Sequence, residues 1–263
     1  MSSAVLALHD LHMAFGGLKV LDGVNMQVRG GEIRGLIGPN GAGKTTLLNI
    51  VCGIHRPQRG DVRLNGVSIV GRKPSAIAGL GLGRTFQTSQ LFQGMTVLEN
   101  MMVGLHRKTR TGLVSAGLAR RRRRSEEIEM EAAARSALAF VGMSDFAERP
   151  ATALSFGQQR VVEIARTLIS EPTVVLLDEP AVGLSANRLA ELDALLRRIR
   201  DQKGVTLILI EHVIRLVMGV CDQVTVLSSG RSIAEGPPAA VRVDRGVIEA
   251  YLGKELGARY QTS

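Results

Sequence analysis

Nine residues, GPNGAGKTT at 38–46, constrain this chain more than any other stretch. They follow the apolar run IRGLI at 33–37 and precede a leucine-rich segment at 47–52, so a strand feeds the loop and a helix leaves it. The spacing G-x-x-x-x-G-K-[ST] is one that cradles phosphate. Gly38, Gly41 and Gly43, interleaved with Pro39, Asn40 and Ala42, permit positive φ and close approach, so successive backbone N–H groups can turn toward one anion. A helix beginning near Lys44 adds the positive end of its dipole. Lys44 can reach the β and γ phosphates, and the Thr45 hydroxyl, followed by Thr46, is placed to ligate Mg²⁺. The expected ligand is a nucleoside triphosphate such as ATP.

The rest of the composition is that of an ordinary globular chain. Of 263 residues, 45% are apolar, enough for a buried core. No uncharged apolar run reaches the roughly 18 residues of a membrane-spanning helix, and the opening MSSAVLALHDLH lacks both a basic stretch and a long apolar one. A soluble, cytoplasmic protein is the expectation. Cys52 and Cys221 have no metal-ligand spacing and read as small core residues. The net charge of +9 fits nucleic acid, anionic lipid or a basic surface, but Trp is absent and aromatics are 3%, which leaves little for base stacking. No nucleic-acid partner is expected.

Along the chain, residues 5–12 partly alternate and Val24, Met26 and Val28 alternate cleanly, predicting half-buried antiparallel strands. Between them lies the lone aromatic Phe15. Residues 61–69 predict a hairpin around Asn65-Gly66. Thr96 and Glu99 form a capping-box pattern, and from there to about Met143 no strand-period pattern occurs, which predicts an inserted helical region closed by Gly142. Its five successive arginines, 120–124, read as a solvated face. The second half alternates apolar strands with helices, at 173–177, 188–200, 205–210, 213–218 and 224–227, and so predicts βαβ units and a parallel sheet.

Two further motifs carry chemistry. VVLLDEP, 174–180, delivers Asp178 and Glu179 at the C-terminal end of a buried strand, where open α/β sheets bind ligands. Asp178 would hold Mg²⁺ through water and Glu179 would orient and deprotonate the attacking water. LSFGQQRVVEIAR, 154–166, opens with Ser155 three residues before Gln158, a second capping box, and so presents a helix N-terminus.

Here the chain resembles ATP-binding cassette (ABC) proteins. The phosphate loop, Gln87 as the Q-loop glutamine, the signature Leu154, Ser155, Phe156, Gly157 and Gln158, the strand-end pair, and His212 in LILIEHV follow in that family's order over nearly the whole chain. Phe156 stands where the family usually has glycine, and Ser185 where its D-loop usually has Asp or Asn. The resemblance implies an α/β fold: a RecA-like P-loop NTPase core with a parallel sheet at about 1–90 and 159–253, an N-terminal antiparallel β layer, and a helical subdomain at about 91–158, with 254–263 as a tail. It implies that Phe15 stacks on adenine, that Lys44, Glu179 and His212 serve hydrolysis, and that Thr45, Gln87 and Asp178 serve Mg²⁺. One phosphate loop and one signature per chain imply a second ATPase subunit whose signature completes the site.

Within the family, FGGLKVLDGV, GRTFQTSQLFQGMTVLENMMVG and the closing LGKEL are similar to the ATPases of branched-chain amino-acid importers. Such systems pair two nonidentical ATPases, hence a heterodimer in preference to a homodimer, peripheral on the inner face of the plasma membrane, with two transmembrane permeases and, on the other side, a periplasmic solute-binding protein. Related sets carry urea, amides or aromatic acids. A lipopolysaccharide-export ATPase is another relative, and a soluble ABC protein acting on ribosomes or nucleic acid is the rival class.

Overall fold

The alternation at Val24, Met26 and Val28 becomes the buried face of a long hairpin. In a computed structural model of the chain, which describes residues 4–86, 90–105 and 116–252 (116–123 and 252 by backbone alone), β1 (Ala4–Phe15) pairs antiparallel with β2 (Leu18–Arg29). Leu6, Leu8, Leu11, Val24, Met26 and Val28 all point inward and are buried. β4 (Arg59–Leu64) lies on the other side of β1 and turns back through Asn65-Gly66 into β5 (Val67–Ser68). Both turn residues take positive φ, 50° and 78°, the conformation this two-residue hairpin needs. The layer runs β2-β1-β4-β5, antiparallel throughout.

The second sheet is the predicted parallel one. β3 (Ile33–Ile37), β6 (Leu82–Arg84), β7 (Val174–Asp178), β8 (Thr206–Ile210) and β9 (Gln223–Ser228) are parallel in the order β9-β3-β8-β7-β6. An antiparallel strand, β10 (Arg231–Gly236), closes the β9 edge. β3 and β8 are buried at every position, as expected of strands covered on both faces. The helices α1 (Lys44–Val51), α2 (Pro74–Gly79), α6 (Ala186–Lys203), α7 (Ile214–Val220), α8 (Pro238–Arg242) and α9 (Arg245–Leu252) complete this unit. Its core joins the layer and the sheet through Leu6, Leu8, Leu36, Leu47, Leu48 and Ile208. Both cysteines are buried and free, as expected of core residues.

The chain divides into this core unit, Met1–Arg84 with Thr173–Ser263, and a helical unit, Thr85–Pro172. The helical unit holds α3 (Val97–Val103), α4 (Ala116–Phe140) and α5 (Phe156–Leu168). Both predicted capping boxes form: Glu99 and Thr96 satisfy each other's backbone N–H at the head of α3, and Gln158 and Ser155 do so at the head of α5. The unit extends beyond the expected 91–158, because α5 packs on α3 and α4 and belongs with them. The side chains of Arg120 to Arg123 lie outside the described residues. No helix among the described residues is long and apolar enough to cross a membrane.

Candidate functional site

The phosphate-loop residues sit where β3 ends, flanked by the neighbouring strand β9. Gly38 is buried with φ 152°, and a Cβ there would lie 2.0 Å from the Leu227 carbonyl oxygen. Only glycine fits. Gly43, φ 101°, is the N-cap of α1, and no side chain caps that helix. The first-turn N–H groups therefore have no capping side chain, beside a loop whose Gly41 stands in open space. Pro39 is half-buried, Asn40 and Thr45 are exposed, Thr46 is half-buried and Ala42 is buried. The Lys44 Nζ donates to the carbonyls of Gly38 at 2.6 Å and Pro39 at 3.0 Å, which folds the side chain back over the loop. Burial pushes the Lys44 ammonium below its ordinary value, while the charge of Glu179 draws it back up.

Glu179 is thus near enough to Lys44 for their charges to interact, and Asp178 precedes it in the chain. Asp178 closes β7; its Oδ2 accepts from the Arg84 guanidinium at 2.9 Å, and Arg84 also donates to Asn49 Oδ1 at 3.0 Å. Glu179 has φ 49°, a left-handed backbone unusual for a glutamate, and its N–H donates to the Ile210 carbonyl at 2.9 Å. His212 Nδ1 lies 3.5 Å from Glu179 Oε1, and the imidazole is 53% exposed. Among the described residues no group of three His, Cys, Asp or Glu could hold a metal on protein ligands alone. Asp178 with the Thr45 hydroxyl suits Mg²⁺, which takes one or two carboxylates and fills its other positions with phosphate and water.

Phe15, 45% exposed at the tip of the β1–β2 hairpin, meets His55 edge-on with ring centroids 5.5 Å apart. Its exposure fits a stacking surface better than a core position. Ser185 holds the N-cap backbone of α6 but makes no side-chain cap bond. Gln87 lies outside the described residues.

In the helical unit, Leu154 is buried, Ser155 and Phe156 are exposed, and Gly157 and Gln158 are half-buried, so the head of α5 faces outward. Beneath it, the Arg160 guanidinium lies 5.2 Å from the Phe156 ring centroid. Arg160 donates to the Phe86 carbonyl and to Glu163 Oε2, while Glu163 Oε1 accepts the Gln90 N–H at 2.5 Å. One buried ion pair thus holds both the Phe86 carbonyl and the Gln90 N–H.

Sequence reasoning missed five residues: Arg84 and Asn49 beside Asp178, Glu211 behind His212, and the Arg160–Glu163 pair. Arg84 and Glu211 carried a signal, each being a charged residue at the end of an apolar strand, but their partners lie 94 and 30 positions away.

Known proteins resemble this chain over nearly its whole length. The family model described as ABC transporter matches residues 21–182, and the one described as branched-chain amino acid ATP-binding cassette transporter matches residues 231–256. The chain is 43% identical over 256 residues to the high-affinity branched-chain amino acid transport ATP-binding protein BraF of Pseudomonas aeruginosa, covering 97% of this chain and 100% of that one. It is 40% identical over 257 residues to LivG, the protein of the same description from Escherichia coli, with the same coverage. A crystal structure of the ADP conformation of an ABC transporter cassette superposes with TM-score 0.83 at 30% identity, covering 96% of this chain and 100% of that one. By its loop geometry, its family match over more than half its length and its full-length relatives, the chain belongs to the ATP-binding cassettes of the ABC transporter family.

Proposed function

We propose that this chain is one of the two ATP-hydrolysing subunits of an importer for branched-chain amino acids. The observation that carries the hydrolytic part is the convergence of Lys44, Glu179 and His212 at the C-terminal ends of β3, β7 and β8. The loop N–H groups of residues 38–46 and Lys44 bind the triphosphate, and Phe15 stacks on adenine. Asp178, Thr45 and Gln87 would hold Mg²⁺, which would neutralise charge on the phosphates when bound. Glu179 takes a proton from the attacking water while His212 hydrogen-bonds the γ-phosphate.

The match of residues 231–256 and the names of the full-length relatives support branched-chain amino acids as cargo. The outward-facing signature, Leu154, Ser155, Phe156, Gly157 and Gln158, suits a role in trans, contacting the nucleotide of a second, nonidentical cassette. Two permeases would anchor the pair at the inner face of the plasma membrane, with a periplasmic binding protein delivering solute. In this reading residues 1–253 form a single ABC ATPase domain, and the helical unit passes motion to a permease.

The test is leucine uptake by vesicles carrying the chain with its permeases and partner cassette. Glu179→Gln is expected to leave ATP binding intact while slowing turnover by about 10² to 10⁴. Undiminished hydrolysis in that variant would remove Glu179 from its role, and uptake of urea in place of leucine would reassign the cargo.

A further inference from the structure

β7 and β8 are parallel neighbours in which Asp178 faces Ile210, so the segments after them leave the sheet at the same level. One segment carries Glu179 and the other His212. Between them sits Glu211, 0% exposed. Its Oε1 accepts the N–H of Ala181 at 2.6 Å, and its Oε2 accepts the N–H groups of His212 at 3.2 Å and Val213 at 3.3 Å. A single buried carboxylate therefore stitches the backbone two residues beyond Glu179 to the backbone of His212. A buried acid is costly to the fold unless its oxygens are satisfied, and here both are. The left-handed Glu179 backbone is of the kind that persists only where its surroundings over-determine it. The bonds on either side of it, Glu179 N–H to Ile210 and Ala181 N–H to Glu211, both run to the end of β8.

We infer that Glu211 is a positioning residue for hydrolysis, its carboxylate holding the loop of Glu179 and the turn of His212 in one geometry so that base and γ-phosphate contact act on the same water and phosphate. Glu211 touches neither substrate nor metal in this role. The inference rests on Glu179 acting as the base.

The two oxygens have separate duties, and that makes the role testable with an isostere. In Glu211→Gln one acceptor becomes an NH₂ donor facing a backbone N–H, so one segment is released while side-chain volume is kept. In the assembled transporter, kcat is expected to fall about 10- to 100-fold, the scale of small misplacements of catalytic groups, while KM for ATP changes by less than about twofold. In a Glu179→Gln background the same substitution is expected to cost no further activity, because the group it positions is already gone, whereas a loss of folded protein would multiply in either background. If Glu211→Gln folds poorly, Glu211→Asp, which keeps the charge but shortens the reach, is expected to give the same kcat loss at constant KM. Full kcat in whichever folded variant is assayed, or a loss that multiplies on Glu179→Gln, would overturn the role of Glu211 alone. Full activity of Glu179→Gln by itself would overturn the reading of the base, and the role of Glu211 with it.

Discussion

Cys221 shows how far burial can move one group. Its thiol lies under the sheet beside Gly35 and is pushed up to about 12, chiefly by desolvation and then by the charge of Asp222. The sign follows from linkage. Above its ordinary value near 9.0 the unfolded thiol ionises, while the folded one keeps its proton until about 12, so the folded state binds more protons across that window. Stability contributed by this group falls as pH rises from 9 to 12, by about 1.4 kcal/mol per pH unit. Urea unfolding at pH 9, 10 and 11 is expected to approach that slope, and Cys221→Ala to reduce it; equal slopes in both proteins would place the titration elsewhere. At this scale much was legible. Lys44, Thr45, Asp178 and Glu179 announce themselves by spacing, because phosphate chemistry demands those residue types in order. Glu211 and Arg84 did not, since each acts on a partner brought near only by strand pairing.

Among the elements, β3 is distinguished by a charge in its interior. Arg34, with its side chain 4% exposed, donates to Glu32 at 2.9 Å, Thr225 at 3.2 Å, the Gln27 carbonyl at 2.7 Å and Glu235 at 2.5 Å. The guanidinium thereby ties β2 of the antiparallel layer to β9 and β10 of the second sheet. Removing it leaves the buried Glu32 carboxylate without its cation, so Arg34→Met is expected to cost about 3–5 kcal/mol in urea unfolding. Arg34→Met with Glu32→Gln is expected to recover much of that loss, since replacing a buried pair costs less than breaking it. Equal loss in both proteins would show that the uncompensated Glu32 carboxylate is not the source of the cost. Elements with strong local signals were readable: the Asn65-Gly66 hairpin, both capping boxes, and the apolar strands of the second half. The short α2, the three-residue β6 and the edge strand β10 were not, because strands with exposed positions such as RSIAEG lack a clear period and are fixed by pairing with neighbours.

For the whole molecule, the phosphate loop and the signature are each presented outward on their own unit, which makes one chain half of a nucleotide machine in the proposed reading. Glu179→Gln, which would trap bound ATP, is expected to co-elute with the second cassette on size-exclusion chromatography when ATP is present and to separate from it when ATP is withheld. Elution unchanged by ATP would count against nucleotide-dependent pairing. The buried cysteines give this question a practical handle. Both native thiols are shielded from solvent, and burial raises both above the ordinary thiol range, so neither offers much thiolate to a maleimide at neutral pH. A single cysteine introduced at an exposed position such as Phe92 or Ile128 would take a fluorophore almost alone, on an otherwise native sequence. The distance between two labelled cassettes could then be followed through a catalytic cycle without first stripping the protein of its own sulfur.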